Sequence, residues 1–320
     1  MKPWLKIACL VLILGLSGVM HVDAKESKTT AKKSPSATAA AAKLPEAKLG
    51  WRLAMQAWSL NQSTFYETMD QAAALGFRYL EAFPGQPLAK EHPGVAFNHG
   101  LSPELRAEVL ARLKAKRLKL IDYGVVDLGA SEAHNREVFE FCKAMGITTI
   151  VSEPPTENLA AVDKLCQEYK INVAIHNHPH ACKSPYWDPA ILLRAVQGCS
   201  PRVGACADIG HWMRSGLDPL ASLKLLKGRV LMLHMKDVTQ RNMDGFEKPW
   251  GTGGADIPAL LAELQKQGFK GVITMEYESG PYYEKHISPV PEMARSVAFF
   301  RQTAARMGGD IHRKSSARGQ

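Results

Sequence analysis

An aspartate and a histidine close together in the sequence suggest a site that binds a cation or moves protons. Asp208 and His211 lie three positions apart in segment 206–212, "CADIGHW", directly after an apolar run. Carboxylates and imidazoles are common ligands of divalent metal ions, and they also act as general acids and bases near neutral pH. Helix capping by Asp208 is the simpler alternative, because aspartate is a favoured N-cap residue.

Acidic, histidine and lysine side chains also follow five other apolar runs. They are Glu81, Glu153, His176 and His178 of "HNHPH", His234 and Lys236 of "LHMKDV", and Glu276 and Glu278 of "TMEYE". Alternate residues of a β-strand point to the same side, so the members of each pair are expected to share a face. Random placement would scatter such residues, whereas their clustering after apolar runs favours a functional site.

Four of these residues form a candidate metal shell. If Glu153, Asp208, His234 and Glu276 point to one place, they provide three carboxylates and one imidazole. Such oxygen-rich ligation suits one Mn²⁺, Mg²⁺ or Co²⁺ ion in six-coordination, with positions left for two substrate oxygens. Zinc is less favoured because no thiolate takes part, but it is not excluded.

The elements that must bring these residues together alternate regularly from residue 51 onward. Apolar or β-branched runs predict eight strands, at residues 53–58, 79–83, 119–125, 148–151, 172–175, 203–207, 230–233 and 271–275. The segments between them have the apolar period of amphipathic helices. This alternation predicts an α/β protein with a parallel sheet, and eight such units match a (β/α)8 TIM barrel. The carboxyl ends of the barrel strands share one face, so the candidate residues are expected to converge there.

Local signals support the predicted helices. Ser102-Pro103 and Asp188-Pro189 have the residue types that begin helices. No GxGxxG motif follows a strand, which disfavours an open dinucleotide-binding sheet. Segment 251–254, "GTGG", lacks the Lys-Ser/Thr ending of a phosphate loop and is interpreted as a flexible turn before a helix.

Both ends of the chain are expected to lie outside the barrel. The predicted organisation is a signal peptide at 1–24, a low-complexity disordered linker at 25–48, the barrel at 49–306 and a disordered basic tail at 307–320. Lys2 and Lys6 precede an apolar run at 7–20, followed by residues suited to signal-peptidase cleavage. The protein is therefore expected to be exported, periplasmic or secreted, with no stable membrane anchor after cleavage. An uncleaved anchor is the alternative, although the apolar run is shorter than the roughly 20 residues that span a bilayer.

The formal net charge of +9 does not indicate a nucleic-acid-binding surface. The predicted leader, linker and tail carry most of this charge, which leaves about +2 on the barrel, so no nucleic-acid partner is expected. Five of the six cysteines follow the predicted leader, at spacings that resemble neither a disulfide framework nor a zinc ribbon. One disulfide in an oxidising compartment is left open.

Six motifs together resemble the xylose isomerase-like barrel superfamily, in particular its sugar phosphate isomerase/epimerase group. They are 152–155 "SEPP", 176–180 "HNHPH", 207–219 "ADIGHWMRSGLDP", 233–238 "LHMKDV", 250–261 "WGTGGADIPALL" and 274–278 "TMEYE". Each motif is weak alone, but they occur in the order found in the family. The resemblance implies the same barrel fold and a metal-dependent reaction on a sugar.

The resemblance also implies roles for individual residues. It implies four metal ligands, Glu153, Asp208, His234 and Glu276. In the related ketose epimerases two metal-bound glutamates exchange a proton with the sugar carbon, a role that would fall to Glu153 and Glu276. His211 is expected to contact a substrate oxygen, and His211 and Lys236 are the candidate acids for proton movement on oxygen. The candidate substrate-binding residues are Glu81, His176, His178 and Trp212.

The expected function is a sugar isomerase or epimerase that acts through a metal-stabilised enediolate on an extracytoplasmic sugar or sugar derivative. An alternative is a metal-dependent lyase or dehydratase on oxidised (3-keto) glycosides, which an exported location would favour. A non-catalytic carbohydrate-binding barrel is less favoured, because the ligand set looks intact. A homo-oligomer is left open.

Two departures from the family narrow these expectations. The epimerases have an arginine a few residues after the strand-seven histidine, where this chain has Lys236 and Asp237. The far end of the substrate is therefore expected to be held differently. The nuclease members have an Asp-x-His pair after strand seven, and no such pair follows Lys236, which argues against DNA repair.

Overall fold

Eight parallel strands form a closed barrel in the computed structural model, which describes residues 44–316. The strands are β1 (Arg52–Gln56), β2 (Tyr79–Ala82), β3 (Lys119–Tyr123), β4 (Thr149–Ser152), β5 (Asn172–His176), β6 (Val203–Asp208), β7 (Val230–Met235) and β8 (Val272–Met275). Each strand pairs with the next along the chain, and β8 pairs with β1 to close the barrel. The fold is therefore the (β/α)8 TIM barrel, and all eight predicted strands are present.

The helices follow the strands in the expected alternation. The α-helices are α1 (Phe65–Ala74), α2 (Pro103–Ala115), α3 (Glu132–Met145), α4 (Leu159–Tyr169), α5 (Pro189–Ala195), α6 (Ile209–Arg214), α7 (Pro219–Leu225), α8 (Ile257–Lys266), α9 (Pro281–Glu284) and α10 (Val290–Ser316). The side chains of Ser102 and Asp188 cap α2 and α5, as their start signals predicted. Short 3-10 helices occupy Pro45–Leu49, Ala57–Leu60, Thr156–Asn158 and His180–Cys182.

Two short antiparallel ribbons lie in the loops after β2 and β7. Gln86–Pro87 pairs with Ala96–Phe97, and Asp237–Val238 pairs with Glu247–Lys248. The second ribbon begins two residues after the end of β7, so it holds the loop beside the carboxyl end of the barrel. This position makes the loop after β7 part of the surroundings of the candidate site.

Alternation along the strands places polar side chains above an apolar layer inside the barrel. Cys206 and Met232 belong to a small buried apolar cluster. Asp208 and His234 come two residues later on the same strands and share their inward face. Most other buried apolar side chains form a second, larger cluster. The inner apolar layer thus closes the barrel beneath the candidate ligands.

The cysteines of the described residues are all free thiols, so the disulfide that the sequence left open does not form there. Cys142, Cys166 and Cys206 are buried, Cys182 is exposed and Cys199 is half-buried. None of the helices within residues 44–316 combines the length and apolar character needed to cross a membrane.

The folded chain begins earlier, and its last helix extends further, than predicted. Pro45–Leu49, at the end of the predicted linker, forms a 3-10 helix whose Glu46 side chain is buried. Helix α10 continues past residue 306 to Ser316, and Met307 packs against the core. These observations correct the boundaries predicted at residues 48 and 306. The predicted signal peptide and most of the predicted linker fall in residues 1–43, outside the described residues.

Candidate active site

Three of the four predicted metal ligands meet at the carboxyl end of the barrel. Asp208 on β6 and His234 on β7 are register partners, and Glu276 directly follows β8. His234 Nδ1 lies 3.6 Å from Asp208 Oδ2 and 3.1 Å from Glu276 Oε2. All three residues are buried, and their ligand atoms lie within 4.8 Å of one another. Asp208, His234 and Glu276 are named the first cluster below.

The 3.1 Å distance between His234 Nδ1 and Glu276 Oε2 and the hydrogen bonding of His234 fit a divalent cation in the first cluster. Two ligands bound at about 2.1 Å lie about 3.0 Å apart in octahedral and about 3.4 Å apart in tetrahedral coordination. Within residues 44–316, His234 Nδ1 is buried and makes no hydrogen bond. Its other ring nitrogen, Nε2, lies 2.9 Å from Glu81 Oε1. A carboxylate on the far nitrogen typically orients a metal-binding histidine and leaves the near nitrogen free to bind the ion.

A buried ammonium group balances the negative charge of the first cluster. Lys236 Nζ lies 2.8 Å from Asp208 Oδ2, 2.8 Å from Glu276 Oε2 and 2.5 Å from Glu278 Oε1. Burial favours the neutral amine, but these three carboxylates outweigh it and raise the pKa of Lys236 well above its ordinary value. Gly210 is needed for this close packing, because a Cβ atom there would lie 2.8 Å from Lys236 Cβ. The two carboxylates of the first cluster thus already hold one positive charge.

The fourth predicted ligand, Glu153, belongs to a separate, neighbouring group of side chains. Its Oε1 lies 3.2 Å from His176 Nδ1 and also contacts His178 Nδ1, and its Oε2 accepts a hydrogen bond from Ser184 Oγ at 2.8 Å. Burial would raise the pKa of Glu153, but the hydrogen bonds from His176 and His178 outweigh it and lower the pKa below its ordinary range. His176 also reaches the first cluster, since its Nε2 lies 3.3 Å from Asp208 Oδ2. Glu153, His176 and His178 are named the second cluster below.

His211 faces the first cluster from the short helix α6. Asp208 Oδ1 caps this helix by accepting the His211 N–H at 2.8 Å, while Oδ2 faces the rest of the first cluster, so capping and clustering occur together. Arg214 lies 3.2 Å from His211 Nδ1 and can only donate there, so a neutral His211 carries its proton on Nε2. Burial and the charge of Lys236 outweigh Asp208 and lower the pKa of His211 well below its ordinary value. The Nε2 atom lies 3.1 Å from Glu278 Oε1, so its proton points towards that carboxylate.

Arg214 and Glu247 are two buried residues that the sequence analysis missed. The Arg214 guanidinium pairs with Glu247, donates to Ser279 Oγ at 2.5 Å and donates to the Gly245 carbonyl at 2.9 Å. These bonds connect helix α6 to the loops after β7 and β8. A usable signal for Arg214 was its position three residues after His211, which places both on one side of a helix. Glu247 lies far from any strand end and carries no comparable signal.

Asp237 holds the turn that was predicted to be flexible. Its carboxylate accepts hydrogen bonds from the backbone N–H groups of Gly251, Thr252, Gly253 and Ala255, at 2.7 to 3.1 Å. Four such bonds fix the turn beside the ribbon after β7. The expectation of a flexible turn at 251–254 is therefore wrong.

A pocket of about 240 Å³ gives access to both clusters. Its ionisable lining consists of His176, His178, His234, Glu276 and Glu278. Its apolar lining includes Trp58 and Phe83, whose rings meet edge to face with centroids 4.9 Å apart. An apolar wall with a few convergent polar groups is typical of a site for a small molecule.

The predicted substrate-binding residues divide into two that line this pocket and two that do not. His176 and His178 line it. Glu81 is fully buried and bonds to His234, and Trp212 is 1% exposed and packs in the hydrophobic core. These buried positions argue against the direct substrate contact that was expected of Glu81 and Trp212.

The chain belongs to the xylose isomerase-like TIM barrel family, whose model matches residues 69–303. The rhizopine catabolism protein MocC of Rhizobium meliloti is 29% identical over 129 residues, which are 36% of this chain and 39% of MocC. An inosose isomerase of Bacillus velezensis is 23% identical over 171 residues, which are 47% of this chain and 60% of that protein. The chain thus spans about half the length of these two relatives.

Solved structures share the same barrel. An uncharacterised protein from Parabacteroides distasonis has a TM-score of 0.63 and 32% identity, with 79% of this chain and 99% of that one covered. A D-tagatose 3-epimerase-like protein has a TM-score of 0.63 and 16% identity, over 81% of this chain and 99% of that one. An IolI protein solved with a bound zinc atom has a TM-score of 0.57 and 16% identity, over 80% of this chain and 98% of that one. The last two show likeness of fold.

Proposed function

We propose that the protein is a divalent-metal-dependent sugar isomerase or epimerase that acts outside the cytoplasm. Its main support is one pocket whose lining includes Glu276 and His234, two members of a cluster that fits a cation. Membership of the family and similarity to proteins named inosose isomerase and D-tagatose 3-epimerase-like support the reaction class. The signal-peptide pattern of residues 1–24 supports the location and, with it, an unphosphorylated substrate.

Asp208, His234 and Glu276 would hold the cation, and Glu81 would orient His234 from behind. A cation bound there would polarise a substrate carbonyl and a neighbouring hydroxyl, which makes the adjoining C–H bond more acidic. Manganese, magnesium and cobalt suit the oxygen-rich set, and zinc is supported by the zinc-containing IolI structure.

Glu276 is the proposed base that takes the proton from the substrate carbon. It lines the pocket, and although burial would raise its pKa, Lys236 outweighs burial and lowers it, so the carboxylate is ionised. His211, with its proton on Nε2, and Lys236 are proposed to supply protons to substrate oxygen. An isomerase needs only the side of the pocket that carries Glu276, His211 and Lys236. An epimerase also needs a group on the opposite side, where Glu153 follows β4, four strands away from β8.

A lyase or dehydratase on oxidised glycosides is the second candidate. Elimination begins with the same proton removal and then needs an acid at the departing oxygen. Lys236 Nζ and His211 Nε2 lie 3.5 Å apart, so two proton donors are available on one side. The two candidates differ in their products and not in the first step.

Deuterium incorporation distinguishes the candidates. Purified protein with Mn²⁺ is incubated in deuterated water with free ketoses, with inososes and with 3-keto-glycosides. An isomerase or epimerase introduces deuterium at one carbon without cleavage, whereas a lyase releases the aglycone. A Glu276→Gln variant is the matched control and is expected to do neither. Absence of both label and cleavage with every substrate would contradict the proposed function.

A further inference from the structure

We propose that Arg214 is a positioning residue that fixes the side-chain proton of His211 on Nε2. The use of that proton in the reaction rests on the proposed function. Arg214 is buried and ends the short helix α6, and its guanidinium extends to the loops after β7 and β8. An arginine carries five N–H groups in a fixed planar fork, so its orientation is determined when each of the five has an acceptor.

Three of these acceptors belong to the two loops. Nε of Arg214 donates to the carbonyl of Gly245 at 2.9 Å, and Nη2 donates to Glu247 and, at 2.5 Å, to Ser279 Oγ. The Ser279 hydroxyl gives its own proton to Glu247 Oε2 at 2.6 Å, so its oxygen is free to accept from the guanidinium. These bonds hold the guanidinium in place without any help from His211.

The two N–H groups on Nη1 reach the candidate active site. They lie 3.2 Å from His211 Nδ1 and 3.1 Å from Glu278 Oε1. A guanidinium has no lone pair that can accept a hydrogen bond, so His211 Nδ1 must be the acceptor. The imidazole then carries its proton on Nε2.

Without Arg214 the opposite tautomer of His211 would also be available. Lys236 Nζ lies 3.5 Å from His211 Nε2 and can donate to that nitrogen when it is unprotonated. This alternative needs the proton on Nδ1, where it would point at an N–H of Arg214. The guanidinium therefore selects the tautomer that presents an N–H on the side of Glu278, whose Oε1 lies 3.1 Å from Nε2.

The selected tautomer matters for the reaction, because Glu278 lines the pocket and Nδ1 is turned away from it towards Arg214. An N–H on Nε2 can stabilise negative charge that develops on a substrate oxygen. In the opposite tautomer the same nitrogen would be an acceptor and would repel that charge. In Ser-His-Asp hydrolases, loss of the correct histidine tautomer with otherwise intact geometry lowers turnover by about 10⁴-fold.

Nitrogen-15 NMR of the histidine side chains tests the proposal without any assay of turnover. The full-length chain, labelled in its histidines, is measured with diamagnetic Mg²⁺ at about pH 8, above the ordinary pKa of imidazole. A His211→Asn variant identifies the signals of His211. The wild-type chain is expected to show a protonated Nε2 and an unprotonated Nδ1.

The test variant is the double substitution Arg214→Met/Glu247→Met. It replaces both members of a buried ion pair, so neither charge is left alone, and circular dichroism checks its fold. We expect His211 in this variant to become a mixture of both tautomers or to carry its proton on Nδ1. Arg241→Met is the matched control, because it removes an exposed arginine of the loop after β7 that pairs with Asp218. It is expected to keep the wild-type tautomer.

Two NMR results would overturn the proposal. They are a proton on Nδ1 of His211 in the wild-type chain, and the wild-type tautomer in the folded double variant. The first result refutes the proposal whether or not the double variant folds. Where the wild-type chain turns over a sugar, the double variant is expected to lose about 10²-fold in turnover, and full turnover would contradict the role in the reaction. Absence of turnover in the wild-type chain contradicts the proposed function and leaves the NMR result unaffected.

Discussion

The two clusters at the carboxyl end of the barrel use the same residue types but differ in burial and support. His234 is 1% exposed, and Glu81 behind it is fully buried. In the second cluster the side chains of His178 and Glu153 are 42% and 15% exposed, and the outer contact to Glu153 is the hydroxyl of Ser184. The first cluster is enclosed by the barrel, whereas the second lies at its rim.

This difference in burial predicts how firmly the first cluster holds a cation. Buried side chains that are already ordered lose little conformational freedom on binding, so most of the binding energy is retained. A half-exposed histidine must first be ordered, which costs part of that energy. The first cluster is therefore expected to bind a cation tightly and to release it slowly.

Replacement of His234 is expected to have the largest effect. His234→Ala removes one of the three proposed ligands of the first cluster and leaves Glu81 buried without its partner. We expect loss of the tightly bound equivalent and a fall in turnover of about 10³-fold, which corresponds to about 4 kcal/mol. Elemental analysis measures the bound metal and steady-state kinetics measure turnover. The control is His180→Ala, which is expected to retain the metal and full turnover. Full metal occupancy in His234→Ala would refute its role as a ligand.

Replacement of Lys236 tests the charge balance of the first cluster. Lys236→Met leaves Asp208 and Glu276 without their buried ammonium, whereas Glu278 keeps Arg214 at 3.1 Å, so the free energy of unfolding of the metal-free protein is expected to fall by about 3–5 kcal/mol. A divalent cation restores the missing charge, so Mn²⁺ is expected to recover much of this loss. Guanidinium unfolding with chelator and with Mn²⁺ measures both values. Lys227→Met, at an exposed position, is the control. An equal loss in the two conditions contradicts the account.

Glu81→Gln tests the buried support of the first cluster. The amide keeps the shape but removes the negative charge behind His234, so cation affinity at the first cluster is expected to fall 10- to 100-fold. Calorimetric titration measures this affinity, and Glu157→Gln, at an exposed acid, is the control. An unchanged affinity in Glu81→Gln would mean that Glu81 does not support His234.

The sequence was sufficient to predict the barrel and the meeting of three candidate ligands. Apolar runs marked the eight strands, and Asp208, His234 and Glu276 were expected on one face because each comes at the carboxyl end of such a run. Strand ends are fixed by the pairing of the barrel, so residues there converge whatever their separation in the chain. This is why Glu276, far along the sequence, was predicted beside Asp208.

The remaining details depend on side-chain packing that periodicity does not describe. Glu153 lies at a strand end as predicted, but its carboxylate turns towards His176 and His178, which is a matter of rotamer and local hydrogen bonding. Trp212 follows His211 directly on helix α6, and neighbouring helical residues point in different directions, so the ring enters the core. The pairing of Arg214 with Glu247 joins residues 33 positions apart and has no local signal.

Anomalous diffraction from crystals soaked in Mn²⁺ tests most directly whether the first cluster holds a cation. The account predicts a peak about 2.1–2.2 Å from Asp208 Oδ2, His234 Nδ1 and Glu276 Oε2, with the Lys236 ammonium displaced from between the two carboxylates. Lys236 still bridging Asp208 and Glu276 in the soaked crystal, with no peak beside His234, would contradict it.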